Sequence, residues 1–144
     1  ILDRKKNIII TAGGMNITPA FIENKLKFSP YIQDAVVIGD GKKYLVALIL
    51  IDEDNVTKYA QDHRIPFTTF EDLTTKAEIK KLIDQEVYKI NKTLAKVETI
   101  KKVALLPRRF YVEDGDVTPT KKVKRLLLMK RYGDLIESLY KDTS

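Results

Sequence analysis

The sequence has 144 residues, of which 44% are hydrophobic and 32% are charged, and its formal net charge at pH 7 is +6. This composition is typical of a single globular domain, and the positive charge favours anionic partners such as nucleotides, nucleic acid or an acidic membrane surface. The sequence has no Cys and one His, His63. Disulfides, thiolate metal sites and histidine-rich zinc sites are therefore excluded, and a Ser-His-Asp catalytic triad is disfavoured.

No targeting segment is visible, and the longest apolar run, residues 44–51, is far too short to span a bilayer. We therefore expect a cytoplasmic location, with peripheral membrane association as an open alternative. The chain does not begin with Met and is charged from Asp3 onward. These features lead us to expect a piece of a longer polypeptide.

The first predicted element is a β-hairpin. Residues 8–11 are rich in β-branched side chains and predict a short strand, and residues 15–17 predict its return strand. Gly13 and Gly14 lie between them. Two interpretations stay open for this pair, namely an ordinary hairpin turn, or a loop whose missing β-carbons let another molecule approach the backbone.

A helix and an antiparallel strand pair are predicted next. Thr18 and Pro19 are typical of a helix start, and the apolar stripe that follows continues to a Ser-Pro stop. Residues 35–38 and 44–51 predict two strands, because both runs are apolar and a Gly-Asp-Gly-Lys turn joins them.

The second half of the chain is mainly helical in its pattern. Asp52 can cap a helix over residues 53–61, and residues 63–70 are expected to form a loop. Thr75 and Glu78 have the spacing of a capping box and predict the start of the longest helix. The predicted elements from there on are a helix at 76–94, a strand at 100–106, a short extended piece at 110–112, a helix from 121 or 122 to 132, and a final helical segment at 134–141.

These elements together predict an α+β fold, in which a small mixed or antiparallel sheet with a leading β-hairpin is covered by helices. We expect residues 1–7 to form a hinge or linker and residues 8–144 to form one domain. No internal repeat or low-complexity segment divides the chain further.

Residues 118–125 read Thr-Pro-Thr-Lys-Lys-Val-Lys-Arg and open a strongly basic stretch. From Lys121 to Tyr132 the chain has six basic residues and no acidic residue. One interpretation is a solvated basic surface with no specific task. The other is a loop, stiffened by proline and anchored by the following helix, that delivers an ammonium group to a phosphate.

Two stretches carry a resemblance to a known family. Residues 3–19, Asp-Arg-Lys-Lys-Asn-Ile-Ile-Ile-Thr-Ala-Gly-Gly-Met-Asn-Ile-Thr-Pro, with Ile22 and Glu23 after them, resemble the hinge and glycine-loop motif of the adenylate-forming enzymes. Gly115 and the Val-Thr-Pro-Thr-Lys-Lys-Val-Lys-Arg sequence at 117–125 resemble the C-terminal lysine motif of that family. Both motifs are most similar to those of long-chain fatty-acid–CoA ligases.

The resemblance implies that this chain is the mobile C-terminal domain of an acyl-CoA synthetase, without the N-terminal nucleotide-binding domain. That domain of the same polypeptide would be its partner. The full-length enzyme would use ATP, CoA and Mg²⁺ to convert a fatty acid into acyl-CoA, AMP and pyrophosphate. We expect none of these ligands to be bound by the 144-residue chain alone, and we expect that chain to be inactive as a ligase.

The resemblance also implies roles for individual residues. Lys122 would be the catalytic lysine of the adenylation step. Lys6 would be the hinge residue, with Arg4 beside it, and Gly13 and Gly14 would line the pantetheine tunnel in the thioester-forming step. Asp3 stands where most family members have Gly, so contacts inferred for that position do not carry over.

The alternative function is a small basic binding module without catalysis. Such a module would bind RNA or an acidic membrane surface through residues 121–131. We expect no nucleic-acid partner, because no strand pattern interleaves aromatic residues with basic ones.

Overall fold

A computed structural model describes residues 8–107 and 125–141, and it describes only the backbone of residues 125 and 126. The predicted hinge at 1–7 and the predicted extended piece at 110–112 lie outside the described residues. The predicted helix starting at 121 or 122 is described from Arg125 onward.

The chain begins with the predicted β-hairpin. Strands β1 (Ile9–Ile10) and β2 (Asn16–Ile17) are antiparallel, with Ile9 opposite Ile17 and Ile10 opposite Asn16. Ile9 and Ile17 point into the core, where they are 6% and 2% exposed. Ile10 and Asn16, the neighbouring residues in each strand, face outward. Side chains thus alternate with the period of two expected for a half-buried hairpin.

The main sheet has three strands in the order β3 (Ile32–Ile38), β4 (Leu45–Ile51) and β5 (Ile100–Leu105). Strands β3 and β4 are antiparallel and β4 and β5 are parallel, so the mixed sheet is confirmed. The central strand β4 is buried along its whole length. Its side chains alternate between two hydrophobic clusters, one on each face of the sheet.

Helices cover both faces of the sheet. On one face lie α1 (Pro19–Leu26), α2 (Glu53–Asp62), α3 (Phe70–Thr74) and α4 (Ala77–Asn91). On the other face lie α5 (Arg125–Arg131) and α6 (Gly133–Lys141), which bury Leu128 and Ile136. The predicted α+β fold is therefore confirmed as three layers, with the sheet in the middle.

Between α2 and α4 one prediction was wrong, and one short helix was not predicted. The predicted loop is confirmed over residues 63–69, and the chain then enters the unpredicted short helix α3, whose N-terminus is capped by the Thr69 hydroxyl, 3.1 Å from the amide of Asp72. The expected capping box is absent, because the Thr75 hydroxyl donates to the carbonyl of Asp72 at 2.6 Å and closes the end of α3. Helix α4 begins after Lys76, which makes no side-chain cap bond.

The end of α4 is tied to the start of β5 by one side chain. The Asn91 amide nitrogen donates to the carbonyl of Ile100 at 2.9 Å, and the Asn91 amide oxygen accepts from the Ile100 backbone N–H at 2.8 Å. Both backbone polar groups of Ile100, the first residue of β5, are thus hydrogen-bonded. These bonds fix the two ends of the connection that contains the 3₁₀ turn at Lys96–Glu98.

We expect Asn91→Ala to destabilise the domain by about 1–2 kcal/mol. The substitution removes two hydrogen bonds from a half-buried backbone, and the better helix propensity of Ala offsets only part of that loss. Urea unfolding followed by circular dichroism measures the change. Asn91→Asp keeps the acceptor and loses the donor, so it should fall between Ala and the unchanged chain. Equal stability of all three would contradict the role given to this side chain.

Candidate functional site

The glycine loop of the β1–β2 hairpin is closed by bonds to Thr11. The amide of Gly14 donates to the Thr11 carbonyl at 2.9 Å, and the amide of Met15 donates to the Thr11 hydroxyl at 3.2 Å. The Thr11 amide in turn donates to the Met15 carbonyl at 3.0 Å. One threonine therefore sets the shape of the whole loop, and the glycines are left at its exposed tip.

The two glycines have different backbone conformations. Gly14 has a φ of +84°, in the left-handed region that favours glycine, whereas Gly13 does not. A β-carbon added at Gly13 would meet nothing closer than the Thr11 hydroxyl at 4.0 Å, and one added at Gly14 would have no described neighbour within 4 Å. Only Gly14 is required by the turn itself.

The hairpin is held against the turn between β3 and β4. The Ile10 amide donates to the Asp40 carboxylate at 3.1 Å, and the Ile10 carbonyl accepts from the Gly41 amide at 2.8 Å. The amide of Ala12 donates to the Lys42 carbonyl at 2.9 Å. These three bonds fix the orientation of the glycine loop relative to the main sheet.

Apolar side chains surround the loop on its solvent side. Ile10 is 53% exposed, Met15 is 46% exposed and Ile8 is 42% exposed. Three large apolar groups together on one short hairpin form a surface suited to contact another molecule or domain.

The same turn holds the C-terminal helix. The Tyr44 hydroxyl donates to the Leu139 carbonyl at 3.0 Å, and the Tyr140 hydroxyl lies 3.0 Å from the Tyr44 carbonyl and 3.3 Å from the Ile38 carbonyl. The two tyrosine rings are 4.9 Å apart, and the Lys42 ammonium lies 5.1 Å from the Tyr140 ring. Burial, with a smaller contribution from Tyr44, raises the pKa of Tyr140 to about 12.

The site predictions fall into two groups. Gly13 and Gly14 lie on the described hairpin, whose turn is confirmed, and their role in the pantetheine tunnel stays a prediction. Lys122, Lys6 and Arg4 lie outside the described residues, so their roles stay predictions. The structure brings together, on the turn at 39–44, the glycine hairpin and the helix pair that follows the lysine motif in the sequence.

Sequence reasoning missed the side chains that make this junction, above all Tyr44, Tyr140 and Asp40. Tyr140 follows Ile136 at helical spacing and is typical of an ordinary core-facing position. Asp40 was identified only as a turn residue. No sequence pattern shows that both side chains bind groups far away along the chain.

In the part of the chain that the structure describes, no three His, Asp or Glu side chains are arranged to hold a metal ion. None of the described helices is long and apolar enough to cross a membrane. An open groove of about 350 Å³ lies between α4 and β5, but Lys80 and Asp84 in its wall pair with each other at 3.0 Å. The groove therefore adds no obvious chemistry to the glycine hairpin.

We expect Gly14→Ala to destabilise the hairpin by about 1 kcal/mol, because Ala must adopt a left-handed backbone conformation there. Gly13→Ala should leave the free energy of unfolding unchanged, because its backbone is unstrained and its surroundings are open. Urea unfolding of both variants measures the difference. Equal stability of the two variants would contradict the assignment of the turn to Gly14.

We expect the stability contributed by Tyr140 to depend on alkaline pH. The unfolded tyrosine has a pKa near 10 and the folded one near 12, so the contribution is complete below pH 10 and is lost as the pH rises through about 12. Tyr140→Phe should lower stability by about 1 kcal/mol at pH 8 and should flatten the decline between pH 10 and 12.

Urea unfolding across this pH range is the measurement, and Tyr88→Phe is the matched control, because Tyr88 is 63% exposed. Parallel pH profiles for Tyr140→Phe and the unchanged chain would show that Tyr140 does not carry the effect.

Comparison with known proteins places this geometry in a family. Residues 6–144 match the AMP-binding enzyme C-terminal domain. The chain is 38% identical over 141 residues to a long-chain-fatty-acid–CoA ligase of Mycobacterium tuberculosis, an alignment that covers 97% of this chain and 24% of the relative. It is 32% identical over 160 residues to a human long-chain-fatty-acid–CoA ligase, covering 99% of this chain and 22% of the relative. The chain thus spans about a quarter of the length of these relatives.

Solved structures show the same fold. The adenylation domain of the carboxylate reductase from Mycobacterium chelonae matches with a TM-score of 0.77 at 24% identity, covering 96% of this chain and 20% of that one. A fatty acyl CoA synthetase of Mycobacterium tuberculosis matches with a TM-score of 0.56 at 21% identity, covering 90% of this chain and 20% of that one. The chain belongs to the family of AMP-binding enzyme C-terminal domains.

Proposed function

We propose that this chain is the C-terminal lid domain of a long-chain fatty-acid–CoA ligase. Its partner would be the N-terminal domain of the same polypeptide, and the joint reaction would convert ATP, a fatty acid and CoA into acyl-CoA, AMP and pyrophosphate. The observation that carries the proposal is the exposed glycine hairpin, fixed on the turn that also holds the helices after the lysine motif. The similarity to long-chain-fatty-acid–CoA ligases over 97% of the chain supports the substrate class.

In the first step, the fatty-acid carboxylate attacks the α-phosphorus of ATP, and pyrophosphate leaves. Two anions meet, and negative charge collects on the phosphoryl oxygens and the leaving group. A positioned ammonium stabilises that charge most strongly where water is excluded. Lys122 would supply it, since lysine is a compact charge on a long stem. Mg²⁺ would be held by ATP and the N-terminal domain.

In the second step, the CoA thiol attacks the carbonyl carbon of the acyl-adenylate, and AMP leaves. The pantetheine arm would pass beside the tip of the hairpin. Gly13 is exposed and has open space where a β-carbon would stand, so the arm could approach the backbone closely there. Ile10 and Met15, both about half exposed, would supply apolar contacts to the N-terminal domain around the tunnel.

The two steps need different loops at one reaction centre. Lys6 would be the pivot of a domain rotation, with Arg4 beside it, because a hinge residue needs only to absorb a change in φ and ψ. The turn at 39–44 joins the hairpin and α6 by direct hydrogen bonds, so the described part of the domain can rotate as one body. One rotation would then withdraw the lysine loop and present the glycine loop.

We expect Lys122→Ala in the full-length ligase to slow adenylate formation by about 10²–10³-fold, as loss of one transition-state donor does. Thioester formation from supplied acyl-adenylate should be unchanged. Gly13→Ala should give the opposite pattern, because its added methyl group narrows the tunnel without straining the fold. Pyrophosphate release measures the first step, and acyl-CoA formed from acyl-adenylate measures the second.

Lys121→Ala is the matched control, since it removes the same charge from the adjacent position. Equal effects of Lys121→Ala and Lys122→Ala on adenylation would refute the assignment of Lys122. Equal slowing of both steps by Gly13→Ala would refute the tunnel. Acyl-CoA synthesis by the 144-residue chain alone would overturn the need for the N-terminal domain.

A further inference from the structure

Two aromatic side chains stand out on the outer surface of α1 and the turn after it. Phe28 is 81% exposed and Phe21 is 49% exposed. They are seven residues apart, and the Phe28 amide still donates to the Lys25 carbonyl at 3.2 Å, so the helical course continues to Phe28. Both rings therefore lie on the same side of α1, opposite the buried Ile22 and Leu26.

Lysines border these rings. The Lys25 ammonium lies 5.2 Å from the centre of the Phe21 ring and bonds to the Thr93 hydroxyl at 3.1 Å. This bond lays α1 against the end of α4, where Lys92 and Lys96 stand exposed on either side of Thr93 in the sequence. Nearby on α4, Lys89 is also exposed, and its ammonium pairs with the Glu86 carboxylate at 3.0 Å. We call this surface, formed by Phe21, Lys25, Phe28, Lys89, Lys92 and Lys96, the aromatic–lysine face.

Few acidic groups lie in the two segments that form this face. In residues 20–28 and 85–98 the carboxylates are Glu23 and Glu86, each only 9% exposed, and the half-buried Glu98, which accepts from the Ala95 amide at 3.2 Å. Glu23 accepts from the Val37 amide at 2.8 Å, and Glu86 accepts from the Ser29 hydroxyl at 2.7 Å. The face is therefore apolar and positive, because its lysines outnumber the carboxylates of these two segments.

We propose that the aromatic–lysine face docks on the surface of an anionic phospholipid bilayer. Aromatic rings can enter the headgroup region while lysines beside them bind anionic lipids. The long aliphatic part of each lysine lets its ammonium reach the lipid headgroups while the rings are inserted more deeply. A protein partner fits less well, because lysine is depleted from protein–protein interfaces. The proposal goes beyond the ligase reaction and does not depend on it.

Sedimentation of the 144-residue chain with lipid vesicles tests the docking. The chain should bind vesicles of phosphatidylcholine containing one third phosphatidylglycerol, and binding should weaken as salt rises. Vesicles of phosphatidylcholine alone should bind at least tenfold less. Absence of binding to the anionic vesicles, or equal binding to both, would overturn the proposal.

Matched variants locate the face. Lys92→Gln with Lys96→Gln should weaken binding to the anionic vesicles at least tenfold, since each lysine near such a surface contributes about fivefold. Lys130→Gln with Lys141→Gln removes the same charge from α5 and α6, on the opposite side of the sheet, and should change binding less than twofold. A larger loss from the second pair would overturn the proposal and favour the basic C-terminal helices instead.

Tryptophan fluorescence tests insertion directly, because the sequence has no Trp. Phe28→Trp adds a single probe at the most exposed of the two rings. Its emission should shift to shorter wavelength with anionic vesicles and stay constant with phosphatidylcholine alone. Phe21→Ser with Phe28→Ser should weaken binding about tenfold while leaving the circular dichroism spectrum unchanged, since both rings are exposed. An unshifted emission, or undiminished binding of the double variant, would show that the rings do not enter the bilayer.

Discussion

The fold depends on the burial of one strand from both sides. Every residue of β4 is 1% exposed or less, so each face of this strand needs a helical layer over it. One layer comes from the helices between the hairpin and β5, and the other from the helices after the lysine motif. Full burial of each large aliphatic side chain contributes about 1.5–3 kcal/mol. The burial of Leu48 and Leu50 under α5 and α6 therefore stabilises the packing of these two helices on the sheet.

The burial of β4 also shapes the turn that supports the glycine hairpin, because β4 begins at Leu45. Leu45 is 1% exposed and packs so closely against Gly39 that a β-carbon there would collide with the leucine side chain. The turn at 39–44 is consequently compact, and its outer groups are free to bind other parts of the chain. Asp40, Gly41 and Lys42 bind the hairpin, and Tyr44 binds α6. The turn before the buried strand β4 thus supports both the glycine hairpin and α6.

Those elements that repeat a regular pattern were predictable from the sequence. The hairpin follows from β-branched runs around two glycines, the β3–β4 pair from two apolar runs around a turn, and α4 from its apolar stripe. The parallel pairing of β5 was not predictable in this way, because strand direction depends on the path of the intervening helices rather than on local composition. Thr75 was misassigned because its hydroxyl had two possible uses, and only the geometry of α3 selects between them.

The candidate site was predictable in a different sense. The motifs identified Gly13 and Gly14 through resemblance, but not the bonds that hold them. The bonds that hold the hairpin and α6 on the turn at 39–44 join residues about thirty or more positions apart, such as Ile10 to Asp40 and Tyr44 to Tyr140. Each of these side chains has an ordinary local explanation as a turn or core residue, so no periodic pattern distinguishes it. Long-range polar contacts of this kind come from tertiary packing alone.

The two adjacent glycines differ in how far the hairpin turn accounts for them. In the sequence, the pair fits equally a hairpin turn and a loop that another molecule approaches. In the structure the positive φ belongs to Gly14, whereas the backbone of Gly13 is unstrained. The turn requires glycine at one position only. The turn therefore accounts for Gly14, and close approach of pantetheine at Gly13 stays a prediction that the Gly13→Ala variant tests.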